Sequence, residues 1–79
     1  MRQYEHATIE WYWTPPQGSD AQPSFVIFMP DGSTDRRVGS NVEVTLALTE
    51  LGGRGFEVVA CITAGNWILW TLKREMQMN

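Results

Sequence analysis

The stretch from Ser40 to Glu75 constrains the fold more than any other part of the chain. Ser40-Asn41-Val42-Glu43 has the Ser-x-x-Glu form of a capping box. In that motif the serine hydroxyl meets a helix amide and the glutamate reaches back to the cap. Val44, Ala47, Leu48 and Leu51 follow at the spacing of one helical face. Gly52-Gly53-Arg54-Gly55 closes the helix, with Gly52 or Gly53 expected in the left-handed C-terminal position. A helix of about eleven residues is too short to stand alone and must pack on something. The following residues supply a sheet. Phe56 to Thr63 alternates Phe56, Val58, Ala60 and Ile62 against Glu57, Val59, Cys61 and Thr63. Ala64-Gly65-Asn66 is the hairpin turn. Trp67 to Arg74 then alternates Trp67, Leu69, Thr71 and Lys73 against Ile68, Trp70, Leu72 and Arg74.

The N-terminal half adds more strands. Tyr4 to Trp13 is rich in β-branched and aromatic residues and reads as the first. Ala7, Ile9, Trp11 and Trp13 form its core face; Tyr4, His6, Thr8, Glu10 and Tyr12 form a face with polar tips. Thr14 to Pro23 holds three prolines and reads as a surface loop. Ser24 to Met29 is the second strand, apolar on both faces and so expected to be buried on both. Pro30-Asp31-Gly32-Ser33 is a turn. Thr34 to Val38 is short and charged, as suits an exposed edge. The tail from Glu75 to Asn79 is expected to fray. The chain, residues 1–79, is therefore one α+β domain in β-β-β-α-β-β order. A small antiparallel sheet of four to five strands carries one helix on one face. The other face must still account for part of Tyr4, Tyr12, Phe28, Trp67 and Trp70, enough apolar surface to mark an interface or ligand groove.

Size makes self-association the expected source of extra stability. A chain of 79 residues has a marginal core, and small domains add disulfides, metals or partner subunits. Cys61 is the sole cysteine and His6 the sole histidine, so neither an internal disulfide nor a metal site is expected, and no cofactor motif stands out. Four Trp, two Tyr and three Phe exceed what one thin core requires. The net charge of −3 and a pI near 4.9 argue against nucleic acid or an anionic membrane as the main partner. The start lacks the apolar run of a signal peptide, and Trp67 to Trp70 is far too short to span a bilayer. With a free cysteine, these features point to a cytoplasmic protein.

The segment Leu48-Thr49-Glu50-Leu51-Gly52-Gly53-Arg54-Gly55-Phe56-Glu57-Val58-Val59-Ala60 and the closing Trp70-Thr71-Leu72-Lys73-Arg74 resemble a family of small bacterial domains, domain of unknown function 4177. The opening Tyr4-Glu5-His6 is similar to that family's first strand. The family pattern is a helix ending Leu-x-x-x-Gly, an aromatic-Glu-Leu/Val-Val strand and a final strand ending Lys-Arg. Phe56 stands where Trp is usual, and Thr14 to Val38 has no counterpart. The resemblance covers roughly half the chain. It implies this fold and a tendency to self-associate, and transfers no catalytic residues.

The candidate chemistry is sparse. His6 shares a strand face with Tyr4, Glu10 and Tyr12, so His6, Glu10 and Tyr12 are the candidates for acid–base work in an aromatic cleft. The simpler reading is a half-exposed sheet face. His6 and Glu10 are four residues apart on one strand, too far for direct contact. Cys61 reads as a buried thiol, since no activating base accompanies it. Arg54 and Glu57 read as a surface ion pair. Gly52-Gly53-x-Gly55 follows a helix rather than opening one, so it is no phosphate loop. Trp11, Trp13, Trp67 and Trp70 fall on two strands, and as neighbours they would form one aromatic wall. That wall could be core, a subunit interface or a groove for a flat apolar ligand.

Two functions fit. The first is a self-associating interaction domain, a homodimer or larger homo-oligomer, binding a partner protein or an apolar small molecule. Its interface or ligand residues would be Tyr4, Trp11, Trp13, Phe28, Trp67 and Trp70. The second is a cyclase-like accessory enzyme acting on an apolar natural-product intermediate. It would use an aromatic pocket between subunits of at least about 300 Å³.

Overall fold

The computed structural model describes residues 2–12, 23–65 and 67–76. They form β1 (Tyr4–Tyr12), β2 (Ser24–Phe28), β3 (Thr34–Val38), α1 (Asn41–Gly53), β4 (Glu57–Ala64) and β5 (Trp67–Glu75). The five strands make one antiparallel sheet in the order β3-β2-β1-β5-β4. The α+β class, the element order and the single helix are those expected from the sequence. Trp13, the segment Thr14 to Gln22 of the proline-rich loop, Asn66 and residues 77–79 lie outside the described residues.

Helix α1 forms where the capping box begins. The Val42 amide donates to Ser40 Oγ at 3.4 Å, and the Ser40 amide donates to Glu43 Oε2 at 2.9 Å. Gly39 is required just before it. A Cβ there would sit 2.5 Å from Glu43 Cβ, where no real atom fits. At the other end the helix runs two residues further than expected, through Gly52 and Gly53, and Gly55 takes the left-handed conformation at φ +93°. The Phe56 amide then bonds the Leu51 carbonyl at 3.0 Å and the Gly55 amide bonds that of Gly52 at 3.0 Å. This is the Schellman pattern, which brings the residue after the glycine against the helix's last apolar residue. Leu51 and Phe56 are both buried. Had Gly52 held the left-handed position, Gly53 would stand where Phe56 does, with nothing to bury.

The core lies between α1 and one face of the sheet. Val44, Ala47 and Leu51 of the helix meet Ala7, Ile9, Phe25, Ile27 and Leu72, with Phe56 closing one end. Trp11, Met29, Leu48 and Trp70 pack against this cluster. Arg37 on β3 reaches Glu50 on α1 at 2.6 Å and Asp35 on its own strand at 2.8 Å. The helix is thereby tethered toward the β3 side. Strand β2 is closed on one face only: Phe25 and Ile27 are buried, whereas Val26 is half-buried and Phe28 exposed. A lone helix covers one side of a sheet, and nothing among the described residues covers the other.

The strand ends shift slightly. β5 reaches Glu75, which pairs with Tyr4, and the Met76 amide bonds the Gln3 carbonyl at 2.8 Å. The segment expected to fray therefore starts within a paired strand. β4 carries a register shift between Val58 and Ala60, a bulge at Val59. The bulge breaks the simple alternation read from the sequence. Val58 lies opposite Leu72 on the helix side, but past the bulge Cys61 and Thr63 take that side, opposite Trp70 and Ile68. Ala60, Ile62 and Ala64 face the open side.

Candidate functional site

The two edges of the sheet differ. β3 presents Asp35, Arg36 and Arg37, charges of the kind that keep a strand from pairing with a stranger. β4 presents Val58-Val59-Ala60-Cys61-Ile62-Thr63-Ala64 with no charge after Glu57, and each of its eight residues is exposed. Val58, Val59 and Ile62 are 48%, 47% and 54% exposed. This is the structure's strongest departure from the sequence reading, in which Cys61 was to be a buried thiol. Cys61 is exposed because the helix does not extend over β4. A nine-residue strand spans about 30 Å and a 13-residue helix about 20 Å. The helix lies over β2, β1 and part of β5, and β4, the outer strand beyond β5, stays outside its cover.

The open face gathers the other candidates. Tyr4, His6, Thr8, Glu10 and Tyr12 lie on it, with Phe28 beside Thr8 and Trp67 beside Tyr12. Tyr4 and Tyr12 are 40% exposed and Phe28 is 39% exposed. Glu10 Oε1 accepts from the Tyr12 hydroxyl at 2.7 Å and from Trp67 Nε1 at 2.9 Å. The Tyr12 hydrogen bond to Glu10 holds the phenol's pKa above its ordinary 10.0, with partial desolvation and the carboxylate's charge adding to the effect. His6 does not join this group; it lies opposite Lys73, which sits 4.3 Å from the centre of the Tyr4 ring. Glu10 and Tyr12 thus form a pair, and His6 stands apart from them on the same face. Glu10 is held as an anchor between a phenol and an indole.

The tryptophans do not make one wall. Trp11 and Trp70 stack on the helix side with centroids 6.2 Å apart and planes at 24°, whereas Trp67 points to the open side. Trp70 is therefore core-associated rather than part of the second face. An odd sequence separation on one strand puts residues 67 and 70 on opposite faces.

The corner after the helix is a third polar region. Arg74 pairs with Glu5, donates to the Arg54 carbonyl at 2.9 Å and lies 4.4 Å from the centre of the Phe56 ring. Glu57 lies opposite Lys73 across the β4–β5 ladder. An open pocket of about 540 Å³ beside this corner is lined by Glu5, Arg54, Gly55, Arg74, Glu75 and Met76. Another, of about 460 Å³, lies between β3 and α1, lined by Val38, Leu46 and Thr49 with Arg37, Glu43 and Glu50. Neither involves His6, Glu10 or Tyr12. Among the described residues no three His, Cys, Asp or Glu side chains gather as a metal site, and no helix is long and apolar enough to cross a membrane.

Comparison with protein-family models, curated proteins and solved structures finds no match to this chain.

Proposed function

We propose that this chain is a non-catalytic interaction domain that self-associates through the β4 edge of its sheet. One observation carries the reading. Among the described residues β4 is a free sheet edge, uncharged over seven consecutive residues and exposed on both faces. Native proteins blunt such edges with charge, bulges or cover. Here the single bulge sits at the Val58 end and leaves Ala60 to Ala64 regular. The segment that resembles the domain of unknown function 4177 family runs from the end of the helix through the corner into β4. The expected interface residues Phe28, Tyr4 and Trp67 lie on the open face, which Ala60, Ile62 and Ala64 of β4 continue. Trp11 and Trp70 pack against the core on the helix side.

Sedimentation velocity over a wide concentration range tests the proposal. The expected result is a reversible shift from monomer to a larger species as concentration rises. A single monomeric species at every concentration would refute it.

A further inference from the structure

We propose that the partner at β4 is a second copy of this chain, paired edge to edge and antiparallel, with Ile62 opposite Ile62 on a two-fold axis. This rests on the self-association proposed above and specifies its geometry.

Three features select this arrangement. The first is the phase of the faces. Cross-strand partners must share a face, and only Ala60 to Ala64 alternates without interruption. A two-fold axis through a residue preserves the faces, whereas one passing between residues opposes an open-side residue to a helix-side one. An axis through Ile62, the middle of the regular segment, pairs Ile62 with itself, Cys61 with Thr63 and Ala60 with Ala64. Every pair is face-matched, and the flanking alanines leave room for the central isoleucines.

The second feature is charge. Glu57 is the strand's sole charged residue and falls outside the paired segment. The two copies of Glu57 end up at opposite ends, roughly 30 Å apart at strand rise. Parallel pairing in register would set them side by side. The third is the contrast between the edges. Pairing of β4 with β3 of another copy would oppose apolar residues to Asp35, Arg36 and Arg37, and would leave an edge free for the next copy. Pairing of β4 with β4 is self-complementary and ends at two. The product is a ten-stranded sheet with both helices on one side and both open faces on the other.

The test combines charge exchange with cross-linking. In this register the two Cys61 residues are diagonal neighbours, about 7–8 Å apart, within reach of a short bifunctional maleimide. Wild type should sediment as a dimer at high concentration and cross-link through Cys61, and Cys61→Ser should abolish the cross-link. Ile62→Lys and Ile62→Glu each place like charges on the axis. Each variant alone should raise the dissociation constant at least about tenfold while keeping the wild-type circular dichroism spectrum. Mixing the two should restore a cross-linkable heterodimer. A wild-type dimer that both variants leave intact would place the interface elsewhere and overturn this geometry, while self-association itself stood. Assemblies growing past two would overturn it as well. A monomer at all concentrations would remove both proposals.

Discussion

Leu72 and Ile62 sit on neighbouring strands, and truncating each to alanine should separate the core from the β4 edge. Leu72 is 1% exposed, lies opposite Ala7 on β1 and Val58 on β4, and packs within the helix-covered cluster. Leu72→Ala removes three carbons, about 2.4 kcal/mol of transfer free energy at 0.8 per methylene. The incompletely collapsed cavity raises the total to about 3 kcal/mol or more. A domain of 79 residues has about 4–12 kcal/mol of stability in all. The loss is therefore a large fraction of the total and should lower the melting temperature by about 12–24 °C. Ile62 is 54% exposed, so Ile62→Ala should change the stability of the monomer by under about 0.5 kcal/mol. The assay is urea and thermal unfolding followed by circular dichroism, at a dilution where sedimentation gives monomer. At high concentration the Ile62 variant should lose stability relative to wild type, because only wild type gains from association. Equal destabilisation of the two variants in the dilute monomer would refute the placement of β4 outside the core. A cost below about 1 kcal/mol for Leu72→Ala would refute the assignment of the core itself.

Two further outcomes follow from the ends of the helix. Gly55→Ala forces a Cβ onto a residue at φ +93° and should destabilise the domain by about 1–2 kcal/mol, read from the urea midpoint. Glu43 is held below its ordinary pKa of 4.5, first by the Ser40 hydroxyl and then by backbone amides. A lowered folded-state pKa gives stability that is full above the ordinary value and lost as pH falls through the folded one. The gap in melting temperature between wild type and Glu43→Ala should therefore be widest near neutral pH and narrow as pH falls below 4.5; a gap that stays unchanged on acidification would show that the carboxylate is not what caps the helix.

What was legible in the sequence was local or periodic. The capping box could be read because its partners lie three residues apart, and β3 could be read as an edge because Asp35, Arg36 and Arg37 cannot be buried in a row. The helix end was misplaced at Gly52 or Gly53, although the information was present. Leu51 needs an apolar partner across the turn, and only Gly55 in the left-handed position presents Phe56 to it. The single Trp wall was likewise avoidable, because Trp67 and Trp70 are an odd number of residues apart. Three features were not legible. The bulge at Val59 inverts the faces of Cys61 to Thr63, and Val-Val-Ala carries no glycine or charge to announce it. The exposure of Cys61 depends on where the helix comes to rest over the sheet, a matter of tertiary packing that no local pattern carries. The Glu10 contact with Trp67 joins residues 57 apart and follows from strand order alone.

The unequal edges of the sheet set a limit on growth. In the vocabulary of polymer chemistry, the proposed pairing makes a protomer whose β3 is blocked by charge and whose β4 is bare monofunctional: such a unit couples but does not propagate. On that pairing, raising the concentration should drive coupling to completion without making chains, and light scattering should reach a plateau rather than climb. Neutralising Asp35, Arg36 and Arg37 together would make the unit bifunctional and open the way to fibres.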